Sequence, residues 1–155
     1  MKPEIRQLED QTVMFVRRMG SYDKAADEAW RVLMKHAFWR MFTDRSMNFI
    51  GISHDNPSIT EDSRLRYDAC ITIKGNPKPK GEVGVQVLKG GKYAVFMHRG
   101  SYEKFGETYE LIFSEWLPRS GYGLRETSCD ELYLNKNPKR TKPENLRTEI
   151  YVPIE

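Results

Sequence analysis

The sequence predicts an α+β protein in which a β-β-α-β-β module occurs twice, giving about eight strands and two helices. Three observations predict it. Met19-Gly20-Ser21-Tyr22-Asp23-Lys24 returns as Arg99-Gly100-Ser101-Tyr102-Glu103-Lys104, so Gly20 recurs as Gly100 at an offset of 80 residues. Asn56-Pro57 returns as Asn137-Pro138, and Leu65-Arg66-Tyr67-Asp68 as Leu146-Arg147-Thr148-Glu149, both at an offset of 81. The segments around these blocks follow one order of strand and helix patterns in both halves. The expectation is a single domain over 1–155, with repeats at 1–74 and 82–155 and a linker at 75–81. Two such halves would meet along a pseudo-twofold seam, and that seam would form a concave ligand groove.

Each half opens with an expected hairpin. Ile5 to Leu8 and Thr12 to Arg18 flank Glu9-Asp10, and Gly84 to Leu88 and Lys92 to His98 flank Gly90-Gly91, a pair able to supply the positive φ of a tight turn. Ser21 and Ser101 stand as N-caps, each with an acidic residue in the first turn that follows. Phe105, Tyr109, Ile112, Phe113 and Trp116 recur at the spacing of one buried helical stripe, and Pro118 is expected to end that helix. Ala26, Ala29, Trp30, Leu33 and Ala37 repeat the stripe more weakly. Two strands then close each half: Met47 to Ser53 with Arg66 to Ile73, and Asp130 to Asn135 with Arg147 to Ile154. Lys74 to Gly81, rich in Lys, Pro and Gly, reads as the connection between halves.

The composition narrows the function classes. The chain is 39% hydrophobic and 30% charged, with a net charge of +3, as expected of a soluble globular protein. No apolar run approaches the roughly 20 residues that span a bilayer, and Met1 to Arg6 has no signal-peptide core. A cytoplasmic protein with no membrane association is expected. Cys70 and Cys129 are not repeat-equivalent, so two reduced thiols are expected rather than a duplicated disulfide. The basic stretches 74–80 and 136–142 are Pro-rich loops rather than an aromatic-interleaved face, which argues against direct DNA binding. His36, His54 and His98 lack metal-ligand spacing, and no phosphate-binding glycine loop is present, so neither metal nor cofactor is expected.

Chemistry concentrates on the last strands. Alternation puts Glu131 and Tyr133 on one face, with Leu132 and Leu134 on the other; in the final strand Glu149 and Tyr151 oppose Ile150, Val152 and Ile154. If the Leu and Ile/Val faces lie beneath the helices, both Glu/Tyr faces look into the groove. Applying the offset of 81 sets Ile50 against Glu131, whereas Glu149 faces another acid, Asp68. An acid in both halves reads as structural, paired with Arg66 or Arg147. An acid in one half only is the better functional candidate, because a lone carboxylate buried among aromatics shifts its pKa upward or requires a cation. Glu131 on an exposed edge, or bonded to an arginine, is the alternative. Trp116 and Tyr109 are either core residues or ligand platforms.

Gly90-Gly91-Lys92-Tyr93-Ala94-Val95-Phe96, Gly100-Ser101-Tyr102, Glu131-Leu132-Tyr133-Leu134-Asn135, Leu65-Arg66-Tyr67-Asp68-Ala69-Cys70 and Glu149-Ile150-Tyr151-Val152-Pro153-Ile154 cover nearly the whole chain. Together they resemble the GyrI-like family, the effector-binding domains of multidrug-responsive transcription regulators. The resemblance implies a groove for lipophilic, often cationic, small molecules and a buried glutamate contacting the ligand. That role falls on Glu131, with Tyr133 and Tyr151 as aromatic neighbours and Glu149 and Trp116 as further ligand-binding candidates. No DNA-binding segment is seen, so a stand-alone drug sensor or sink is expected rather than a complete regulator. Two alternatives come with the resemblance. One is hydrolysis of cyclopropane-type genotoxins with Glu131 as catalytic acid or base. The other is a protein-partner role, with DNA gyrase as the inhibited target or a transcription regulator as the partner.

Overall fold

The computed structural model describes residues 1–155 and contains the eight expected strands. They are β1 (Glu4–Leu8), β2 (Gln11–Met19), β3 (Phe49–Ser53), β4 (Arg66–Thr72), β5 (Gly84–Leu88), β6 (Gly91–Arg99), β7 (Asp130–Tyr133) and β8 (Arg147–Pro153). The helices are α1 (Tyr22–Ala37), α2 (Arg40–Thr43), α3 (Phe105–Leu111) and α4 (Leu117–Ser120), with a π-helical turn at Ile112–Trp116 joining the last two. No helix is long and apolar enough to cross a membrane.

The chain forms two units that differ from the sequence repeats at their first strands. One unit is Met1–Leu8 with Gly91–Glu155; the other is Glu9–Gly90. Neither expected hairpin forms. β1 pairs antiparallel with β6, Leu8 opposite Gly91, and β5 pairs antiparallel with β2, Gln11 opposite Leu88. A two-residue hairpin turn needs positive φ at its central residues; Glu9, Asp10 and Gly90 lack it, and Gly91, at φ 115°, is already paired with Leu8 of β1. Each connection instead carries the chain from one unit to the other. Within the Glu9–Gly90 unit, Asp10 Oδ1 accepts from the Gly90 amide at 2.8 Å.

In the Glu9–Gly90 unit the ladders run β3, β4, β2, β5. α1 covers one face with Ala25, Ala29, Leu33 and Ala37, all buried at a four-residue spacing against Met14, Val16, Tyr67, Ala69 and Ile71. Three alanines in that stripe let the helix approach the strands closely. Ser21 holds the N-cap position without a side-chain bond, whereas Ser101 Oγ accepts from the Glu103 amide at 3.3 Å.

In the other unit the order is β1, β6, β8, β7. Ile112 is fully buried on Ala94, Phe96, Ile150, Val152 and Ile154, with Phe105, Tyr109 and Trp116 packed around it. Phe113, expected in the same buried stripe, is 36% exposed and stacks on Tyr109 with ring centroids 6.2 Å apart. Pro118 does not end the helix. The Leu117 amide donates to the Ile112 carbonyl five residues back, and this wider turn makes Pro118 an early residue of α4, where its missing N–H costs nothing. The helical path ends at Gly121, whose φ of 79° is the left-handed cap conformation.

Candidate functional site

Strand register decides what each candidate can touch. Directly paired residues of an antiparallel ladder share a face, and Glu131 pairs with Ile150 while Tyr133 pairs with Thr148. Glu131 and Tyr133 therefore lie on the helix-covered face, with Phe96, His98, Thr148, Ile150 and Val152. Glu149 and Tyr151 lie on the opposite face, paired with Leu132 and Asp130. This corrects the expectation that both Glu/Tyr pairs look the same way. It also corrects the repeat comparison: the offset of 81 carries Ile150 onto Ala69, whose partner is Gly51, so Gly51 and not Ile50 is the counterpart of Glu131.

Glu131 is 4% exposed. Tyr109, from α3, donates to its Oε1 at 3.0 Å, and Tyr133, two residues along the same strand, donates to its Oε2 at 3.0 Å. No Arg, Lys or His forms an ion pair with it. Burial pushes its carboxyl up to about 7, and the two tyrosine hydrogen bonds only partly offset this. The surroundings respond in kind. Burial and the nearby carboxylate hold the Tyr109 and Tyr102 hydroxyls above their ordinary range. The Cys129 thiol is pushed up to about 12 by burial, with Asp130 and Glu131 adding to it. Tyr102 rests on Tyr133 and Phe105, centroids 5.3 and 5.4 Å apart, so the carboxylate lies in an aromatic enclosure. The Thr148 hydroxyl, opposite Tyr133, is buried with no hydrogen-bond partner. Its other neighbour, His98, is satisfied by Thr108 Oγ1 at 2.7 Å and the Ser101 carbonyl at 2.9 Å.

The other candidates fall elsewhere. Arg6 donates to Glu149 Oε2 at 2.9 Å and to the Tyr151 hydroxyl at 2.9 Å, and that hydroxyl donates to Glu149 Oε1 at 3.1 Å. Glu149 already has its cation. Burial, with Glu149 second, pushes the Tyr151 hydroxyl up to about 12. Trp116, partly buried, meets Phe96 edge-on at 5.0 Å and stacks on Tyr122 at 6.2 Å, packing against the core of this unit. Asp68, the repeat counterpart of Glu149, is fully buried. Burial pushes its carboxyl up, but hydrogen bonds from His54, Arg17 and Gln86 outweigh this and hold it well below the usual range. Arginine does neutralise both repeated acids, yet it comes from β1 and β2; Arg66 instead binds Asp55.

Sequence reasoning missed Arg6, Arg17, Thr148 and the role of Tyr109 as a donor to Glu131. Only Thr148 left a signal, as the polar member of an otherwise apolar alternation with Ile150 and Val152.

A family model described as "GyrI-like small molecule binding domain" matches residues 1–155. The chain is 32% identical over 127 residues to the probable transcriptional regulator YgiV of Escherichia coli (strain K12), covering 77% of this chain and 78% of that protein. It is 28% identical over 138 residues to the DNA gyrase inhibitor of the same strain, covering 87% of each. Among solved structures, the EcmrR C-terminal domain matches with a TM-score of 0.76 at 16% identity, over 99% of this chain and 97% of that one. SAV2435 bound to tetraphenylphosphonium matches with a TM-score of 0.62 at 16% identity, over 100% of this chain and 94% of that one. At those identities the two structures share the fold.

Proposed function

The chain belongs to the family of GyrI-like small-molecule-binding domains, and from that premise we propose that it binds lipophilic cations with Glu131 as the residue that reads their charge. The observation that carries the reading is a buried carboxylate enclosed by tyrosines and without a cation. Holding Glu131 ionised in that place is unfavourable, and a ligand cation would remove the penalty while the rings of Tyr102, Tyr109 and Tyr133 contribute about 0.5–2 kcal/mol each through cation–π attraction. A drug-sized ligand reaches Glu131 only if the α3 side of the enclosure moves. The π-helical turn that follows α3 is a natural point of yielding, because its hydrogen bonds are less regular than those of an α-helix. The Thr148 hydroxyl offers a bound molecule one further polar contact. The relative SAV2435, on the same fold, is described bound to tetraphenylphosphonium, a cation of this class. Cys70 and Cys129 are not joined in a disulfide, which fits a reducing, cytoplasmic setting.

The test is a thermal-shift titration with tetraphenylphosphonium and a neutral triaryl analogue, on wild type and Glu131→Gln at about pH 8, where Glu131 is ionised. Ligand at about 100 times Kd stabilises by about 2.7 kcal/mol. Stabilisation by the cation that is strongly reduced in Glu131→Gln is the expected result. Equal stabilisation of both proteins, or by both compounds, sinks the charge-reading role. A second reading has one observation in its favour: a carboxyl near 7 also suits general acid–base catalysis on a strained electrophile. Recovery of intact ligand after long incubation excludes turnover of that compound.

A further inference from the structure

The segment between α1 and β3 carries a surface that ligand binding at Glu131 does not use. Phe38, Trp39, Met41 and Phe42 are 51%, 77%, 36% and 69% exposed. The backbone stays right-handed helical through Phe38 and Trp39 into α2, which fans these side chains around one short protruding turn. The rings meet one another at 5.7 Å for Phe38–Trp39, 5.3 Å for Phe38–Phe42 and 6.4 Å for Trp39–Phe42. They form a knob and not a pocket.

The charge around the knob indicates what covers it. Arg31 and Lys35 precede Trp39 by two turns and one turn of the helical path, Arg40 lies inside the turn, and Arg45 follows it; all four are exposed. None of the four is in an ion pair. Asp44 is the only acid between Ala29 and His54, and its carboxylate accepts from the Ser46 amide at 2.9 Å. Four cations against one acid give this segment a net +3, equal to that of the whole chain. A second copy of the protein would set like charges against each other.

We propose that Phe38–Phe42 is a peripheral docking knob for an anionic bilayer surface. Aromatic rings settle at the headgroup level of a bilayer, cations beside them meet lipid phosphates, and no spanning segment is required. The bilayer also accepts a protruding knob without the matching hollow that a protein partner would need. Lipophilic cations concentrate at the same interface, so docking would place the protein beside its ligands. The proposal itself rests on the knob alone and stands whether or not Glu131 reads charge.

Cosedimentation with vesicles of phosphatidylcholine, with and without phosphatidylglycerol, tests it. Wild type is expected to bind the anionic vesicles selectively, less so as salt rises. The double variant Trp39→Ser, Phe42→Ser is expected to partition at least about tenfold more weakly. Arg40→Glu with Arg45→Glu is expected to abolish the preference for anionic lipid. All four positions are exposed, and the unfolding midpoint of each variant checks that it remains folded. Absence of vesicle binding by wild type, or undiminished binding by the aromatic double variant, overturns the proposal. So does a wild-type dimer in analytical ultracentrifugation that the aromatic variant dissociates, because the knob would then be covered by a second copy.

Discussion

Glu131→Gln should make the protein more stable, and increasingly so as pH rises. Burial carries the Glu131 carboxyl from its ordinary 4.5 to about 7. Between those two values the folded state binds more protons than the unfolded chain, so stability falls as pH rises. The favourable contribution is fully present below 4.5 and is lost by the time pH has passed about 7. Over the whole range the loss is about 3 kcal/mol, and between about pH 5 and pH 8 it is about 2–3 kcal/mol. Glutamine keeps the shape, can still receive one tyrosine hydroxyl and does not titrate. Other groups titrate alike in both proteins and cancel in the difference. The assay is urea unfolding of both proteins across that pH range; in thermal unfolding, the variant's advantage should widen by about 5–10 °C. A difference that stays flat with pH would show that Glu131 is not held in a disfavoured ionised state, and the argument for a missing cation would go with it.

Thr148→Val replaces a buried hydroxyl that has no partner with a methyl group of the same shape, so the free protein should gain about 1 kcal/mol in urea unfolding. A loss of stability would mean that the hydroxyl is satisfied. Arg17→Ala leaves the buried Asp68 carboxylate without its bidentate partner, bonded at 2.7 and 2.9 Å, and should cost about 2–3 kcal/mol, since Arg17 is itself 42% exposed and His54 and Gln86 remain bonded to the acid. The cost should shrink in acid, where Asp68 takes up a proton. A cost under about 1 kcal/mol, typical of an exposed pair, would contradict the structural role given to this cluster.

Much of the fold was legible because strand alternation and the helical stripe are local signals. All eight strands appear within a few residues of their expected positions, and Ala29, Leu33, Ile112 and Trp116 lie on the helix faces that their spacing indicated. What failed was pairing. Glu9-Asp10 and Gly90-Gly91 look like turns because each separates two strands by a short polar or glycine-rich step. Whether such a step folds back or crosses to another unit depends on partners far along the chain. That exchange is also why Arg6 was missed as the partner of Glu149: it is brought to β8 only by the pairing of β1 with β6. The face of Glu131 failed because the Leu132 and Leu134 side was expected beneath the helices, whereas Leu132 pairs with Glu149 on the opposite face. The offset between repeats is 80 at β7 and 81 at β8, and that one-residue difference made Ile50 rather than Gly51 the expected counterpart of Glu131.

Correcting that register strengthens the case for Glu131. Asp68 and Glu149 occupy equivalent places in the two units, and each receives an arginine, from β2 in one unit and from β1 in the other. Glu131 has no such counterpart. Its equivalent, Gly51, has no side chain, so the layer between strand and helix needs no acid at this position in the first unit. In the second unit the acid is present, held by two hydroxyls instead of a guanidinium, and is destabilising in its ionised form. Glutamine would keep the packing and an acceptor for one tyrosine hydroxyl, whereas a hydrophobic residue would leave both hydroxyls without their acceptor. A cost of about 3 kcal/mol that two tyrosine hydrogen bonds do not offset is the observation on which the proposed charge-reading role rests, since a ligand cation would remove it.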